Sequence, residues 1–174
     1  MRITTVAVRG LALGVAIVAA NCHAANAVAT AGATVIAPLA INRSANLSFG
    51  SFAPGTGGSV TVSTSGARVV DNAILSSVDS APTAAQFEVS GDPAATFDIT
   101  IVASTTLDDG AGHSMALVTC SDLMGANTTS GNVASGMLSA GGTQSLFVGG
   151  TLSVAAAQVP GLYSGSIAVT VEYN

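Results

Sequence analysis

The sequence predicts an all-β chain folded as an antiparallel sandwich or barrel, and three observations carry that expectation. Short runs rich in Val, Ile, Phe and Thr recur along the chain, with Gly, Pro, Asn or Asp between them. Several runs alternate apolar and polar residues with the two-residue period of a half-buried strand. Beyond the N-terminal stretch, no segment reads as a helix.

In order, strands are expected near Val35–Ile41, Leu47–Phe52, Ser59–Ser63, Ala73–Ser77, Gln86–Ser90, Thr96–Val102, Met115–Cys120, Ser145–Val148, Thr151–Val154 and Ser164–Tyr173. Phe87 and Val89 flank Glu88. Phe97, Ile99 and Ile101 flank Asp98 and Thr100. Ile167, Val169, Val171 and Tyr173 flank Ala168, Thr170 and Glu172. In each run one set faces a core and the other faces water. Pro54-Gly55, Gly57-Gly58, Gly91-Asp92-Pro93, Asp109-Gly110 and Pro160-Gly161 supply turn geometry between strands. Ser121–Ser135, rich in Asn, Thr, Ser and Gly, reads as a long surface loop.

Composition narrows the functional classes. The 174 residues suit one domain with a real core. Charged residues make up 7%, against roughly a quarter in an average domain, while 49% are hydrophobic. That balance argues against disorder. No Lys occurs, and the basic residues are Arg2, Arg9, Arg43 and Arg68 alone. A nucleic-acid interface needs a basic patch, and a P-loop needs a Lys, so both readings fail.

Residues 1–24 have the layout of a secretory signal peptide. Arg2 and Arg9 precede the apolar run Leu11–Ala20, and small residues follow. The run is too short to span a bilayer, which takes about 20 apolar residues. Cleavage after Ala24 places small residues at both specificity positions, and Ala27 is a second candidate. The expected organisation is a signal peptide over 1–24 and a single domain over 25–174, with an extended N-terminal segment over about 25–34. Cleavage leaves two arginines against nine acidic residues, a net charge of −7. It also removes Cys22, so Cys120 stands alone and no intramolecular disulfide can form. The mature chain carries no transmembrane segment on this reading, and it is exported to the periplasm, the cell surface or the medium.

No residue pattern is equipped for catalysis, and no cofactor or metal site is expected. His113 is the one His left after cleavage, in the turn-like stretch Asp108-Asp109-Gly110-Ala111-Gly112-His113. Metal sites need three or four ligands and acid–base work needs a positioned partner, so a solvated hairpin turn is the better account. No G-x-S-x-G elbow exists. Gly55-Thr56-Gly57-Gly58 precedes a strand rather than a helix, so no helix N-terminus is there to hold an anion. The sequons at Asn42, Asn46 and Asn127 are chance matches in a Ser/Thr-rich chain.

The C-terminal residues PGLYSGSIAVTVEYN run from a turn into one alternating strand. Tyr173 is penultimate, Ile167, Val169 and Val171 form an apolar row before it, and Gly161 is fourteenth from the end. This ending resembles that of chaperone–usher pilin subunits. The resemblance implies an immunoglobulin-like (pilin-like) antiparallel β-sandwich with a strand missing beside the last one. It implies a periplasmic chaperone and neighbouring subunits as partners. It also marks Gly161, Ile167, Val169, Val171 and Tyr173 as the chaperone or donor-strand contact. The mature chain resembles, too, an uncharacterised family of secreted bacterial proteins known only as a domain of unknown function. That likeness rests on ATVIAPLAI (33–41), LSFGSFAPGTGGSVTVS (47–63), GTQSLFVGGTLSV (142–154) and GLYSGSIAVTVEY (161–173). The family name implies no activity.

The expected function is therefore an exported structural subunit of a surface filament, pilus or coat that assembles by strand addition. The absence of edge-guarding Lys favours it, because Lys on an edge is a common defence against strand pairing. The alternative is a secreted or periplasmic carbohydrate-binding module using loops such as Ser121–Ser135. A hydrolase would have to use His113.

Overall fold

The computed structural model describes residues 25–76 and 81–174; the expected signal peptide lies outside the described residues. Those residues contain twelve strands and no helix. The strands are β1 (Ala40–Ala45), β2 (Phe52–Ala53), β3 (Gly58–Val62), β4 (Arg68–Asp71), β5 (Ile74–Leu75) and β6 (Ala85–Ser90). They continue with β7 (Thr96–Ala103), β8 (Thr106–Asp108), β9 (Ser114–Asp122), β10 (Ser135–Met137), β11 (Thr143–Val154) and β12 (Ile167–Tyr173). Val35–Asn174 forms one compact unit. Residues 25–34 fall outside it, are exposed and have no regular secondary structure.

All pairings between strands are antiparallel, and the large sheet curls into a half-barrel. β11 is its spine. Along one edge Thr143–Val148 pairs with β6, and Gly150–Val154 then pairs with β3. Along the other edge Phe147–Leu152 pairs with β9. β1 extends the sheet beyond β6, β4 beyond β3, and β8 beyond β9. A second sheet has the order β10-β7-β12, and β2 pairs with β5 alone.

Two expected strands, Ser145–Val148 and Thr151–Val154, are thus one. The expected break between them falls at Gly149-Gly150, but both glycines lie inside β11 where the edge passes from β6 to β3. A Cβ on Gly149 would run into the Val62 carbonyl and the Cys120 sulfur, and one on Gly150 would crowd Leu117. The glycines permit close approach of neighbouring chains rather than a reversal. The expected strand Val35–Ile41 begins only at Ala40 and runs on to Ala45, and Val35 is 95% exposed. β4, β8 and β10 are too short for a period to show in the sequence.

Two apolar clusters hold the unit together. In the first, Phe87 and Val89 of β6 and Leu146 and Val148 of β11 pack against Phe97 and Ile99 of β7. Full burial of such side chains is worth about 1.5–3 kcal/mol each. Ile167, Val169, Val171 and Tyr173 of β12 join this cluster but stay only half-buried. In the second, Val60 and Val62 of β3, Met115 and Leu117 of β9, and Leu152 and Val154 of β11 share a core with Phe49. No residue of the β10-β7-β12 sheet belongs to it. Its cover comes from irregular chain (Leu47, Ala73, Tyr163) and from the short strands β2 and β8 (Phe52, Leu107). Arg68 fixes part of that cover by donating to the Phe49 carbonyl at 2.8 Å. The small sheet therefore roofs only one half of the large sheet's inner face.

Candidate strand-docking groove

β12 begins at Ile167 rather than the expected Ser164, because Ser164 bridges to Asp108, the last residue of β8. From Ile167 to Tyr173 it pairs with β7 along one edge. Its other edge has no strand partner among the described residues. The parity of the pairing says which groups face that open edge. Ser104 N–H donates to the Ser166 carbonyl at 2.8 Å, and Asn174 N–H donates to the Thr96 carbonyl. Even-numbered residues therefore exchange hydrogen bonds with β7, as antiparallel pairs do at every second position. The N–H and C=O groups of Ile167, Val169, Val171 and Tyr173 point outward, along the open edge. The same four residues turn their side chains toward the first cluster. One strand thus offers four backbone donor–acceptor sites beside a half-covered apolar row.

Opposite lies β1, whose far edge also has no strand partner among the described residues. The two strands come together at the Tyr173 end. There the Tyr173 hydroxyl accepts from Asp92 N–H at 2.7 Å and donates to the Ala37 carbonyl at 2.9 Å. Gly91 makes room for it: a Cβ at that position would strike the hydroxyl oxygen. At the other end, between Ala45 and Ile167, the seam opens into a groove of about 850 Å³. Its apolar floor includes Phe87, Met115, Leu117, Leu152 and Val154. Its walls are the stretches 45–54 and 158–167, rich in backbone and in Ser side chains. Among the described residues, Arg43 is the one charged residue of the lining.

Of the residues marked from the sequence, the structure places Ile167, Val169, Val171 and Tyr173 on one face of one strand. Gly161 stands apart from that row. It lies on the exposed chain before β12, beside Asp109, and lines the groove wall without a positive φ. Sequence reasoning did not find Gly91, Ala37, Asp92 or Arg43. Their roles come from chain crossings far apart in sequence, and no local pattern announces them.

Other candidate chemistry is sparse. Asp109 and His113 sit in the β8–β9 hairpin turn. The Asp109 carboxylate accepts from Ala111 N–H and His113 N–H and meets His113 Nδ1 at 2.6 Å. Burial pushes this carboxyl up, but the hydrogen bonds from the His113 ring and the two amides outweigh it and bring it down to about 2. His113 Nε2 has no hydrogen-bond partner among the described residues, so no nucleophile stands beside it. No cluster of three His, Cys, Asp or Glu that could hold a metal occurs among the described residues. No helix among them is long and apolar enough to cross a membrane. Each of the five Phe and two Tyr is buried or half-buried, and Phe52 and Tyr163 line the groove.

The stretch after β9 is a long connection, as its composition suggests, and Asp122 organises it. The carboxylate accepts from the Thr64 hydroxyl and from Met124, Gly125 and Ala126 N–H. Burial raises its pKa, and these bonds, with one from the Thr128 hydroxyl, bring it down to about 2. Thr64 N–H donates to the Thr128 carbonyl at 3.0 Å, and Thr128 N–H donates to the Thr64 hydroxyl at 2.8 Å.

The molecule is thus an antiparallel all-β protein whose most distinctive feature is an open strand edge over a groove. The family model described as "Domain of unknown function (DUF4402)" matches residues 39–173, and the chain belongs to that family. No curated protein and no solved structure matches it.

Proposed function

We propose that this chain is an exported structural subunit of a bacterial surface filament, pilus or coat, assembled by β-strand addition. On this reading the fold is an immunoglobulin-like (pilin-like) sandwich that lacks one strand. A periplasmic chaperone fills the gap first, and a neighbouring subunit fills it afterwards. One observation carries the reading: the edge of β12 is open, and its apolar row is only half-buried beside a groove. An added strand would satisfy the outward backbone groups through main-chain hydrogen bonds and cover the row with alternate side chains. The signal-like pattern of residues 1–24 supports export.

The test is assembly of the exported full chain. Filaments or regular multimers are expected in negative-stain micrographs of the material assembled at the cell surface, together with uptake of a strand-forming peptide by the purified chain. A stable monomer that forms no multimers and takes up no strand-forming peptide would overturn the proposal.

A further inference from the structure

We infer that the groove selects a strand bearing a carboxylate, and that its occupant is an acidic β-strand peptide rather than this chain's own N-terminal segment. The inference rests on the strand-addition reading and names the chemistry of the partner.

It starts from Arg43. Arg43 pairs across β1 and β6 with Phe87, which is buried, and stands two residues from Ile41, which packs on the first cluster. Cross-strand partners and alternate residues share a face, so Arg43 is on the inward face of an edge strand. There it lines the groove, with its side chain exposed to solvent. It has no hydrogen-bond or ion-pair partner among the described residues. Among the described residues, no Asp or Glu lines the groove. Glu88, the nearest carboxylate along β6, is exposed and alternates with buried Phe87 and Val89, so it belongs to the opposite face. Arg68, by contrast, is engaged with backbone carbonyls.

While the groove is open, water solvates the guanidinium. A strand laid along β12 would cover it, and a covered charge without a counter-charge is strongly disfavoured. An inward charge on an edge also blocks indiscriminate pairing. Arg43 thus penalises neutral apolar strands and accepts one that brings a carboxylate, whose planar fork suits a guanidinium. Residues 25–36 contain no charged side chain and cannot supply it.

The experiment measures fluorescence anisotropy of labelled peptides on the full exported protein. The peptides share a Thr/Val/Ala background with one Asp, Asn or Lys walked along it, and a further peptide carries residues 25–36. The best Asp peptide should bind about tenfold tighter than its Asn counterpart, with the margin shrinking as salt rises. Arg43→Glu should transfer the preference to the Lys peptide. Equal binding of Asp and Asn peptides, or binding of the 25–36 peptide as tight as the best Asp peptide, overturns the inference while leaving strand addition intact. If no peptide binds, or if Val169→Pro leaves all binding unchanged, the strand-addition reading itself fails and takes the inference with it.

Discussion

Tyr173 connects the last strand to the Asp92 turn and to the irregular chain before β1 through one hydroxyl. Tyr173→Phe keeps the packing of the ring and removes both hydrogen bonds. The expected loss is about 1–2 kcal/mol in chemical denaturation, together with faster hydrogen exchange at the Asp92 amide. Asp122 makes a pH-dependent contribution. Its folded pKa of about 2 lies below the ordinary 3.8, so the charged form is the one the fold favours. The stabilisation is complete above the unfolded value and is lost as pH falls through the folded one. Asp122→Asn should therefore flatten the fall in Tm between about pH 4 and pH 2 relative to the parent protein. Proteolysis after Met124 should accelerate in the variant at neutral pH. Cys120 is fully buried, its thiol is pushed up by burial, and it donates to the Thr128 carbonyl at 3.4 Å. It should react with a thiol reagent only at the rate of unfolding, measured by stopped labelling across a denaturant series.

At the scale of the element, the parity of β12 makes two adjacent positions behave differently. Thr170 hydrogen-bonds with β7, whereas the N–H of Val169 faces the open edge. Proline removes one backbone donor and is tolerated in sheets only on the unpaired side of an edge strand. Thr170→Pro should break the β7–β12 ladder and lower Tm sharply. Val169→Pro should cost less in Tm but abolish strand uptake and assembly. Equal effects of the two substitutions on folding would contradict the open edge. β11 shows a second consequence of parity. Its two central glycines lie where three neighbouring strands converge, and Gly149→Ala should destabilise through collision with β3 rather than through loss of a turn.

For the whole molecule, the half-covered inner face is the decisive property. Two apolar clusters lie side by side under one curled sheet, but the second sheet spans only the first cluster. The remainder is closed by irregular chain and short strands around a groove. An edge strand beside such a groove is a standing template for another chain. Addition of an acceptable strand should raise Tm in proportion to the logarithm of its concentration, as any ligand of the native state does, and a thermal-shift titration reads this directly.

Much of this was legible in the amino-acid sequence, and the rest was not, for physical reasons. Alternation with a period of two is a local property, so β6, β7, β9 and β12 are readable from Phe87/Val89, Phe97/Ile99, Met115/Leu117 and Ile167/Val169/Val171 alone. The all-β class follows, and so does the inward row of the candidate site. The break between Ser145–Val148 and Thr151–Val154 was misplaced because a glycine pair interrupts a strand pattern and permits a close approach equally well, and only the neighbouring strands distinguish them. The open edge of β12, the place of Arg43 on the inward face beside Phe87, and the Tyr173–Ala37 bond depend on which strands became neighbours. Strand order is settled by the packing of segments far apart in the chain, and no local pattern of side chains encodes it. The sequence by itself determined that the last strand has an apolar face; the tertiary structure decided that one of its edges has no partner among the described residues.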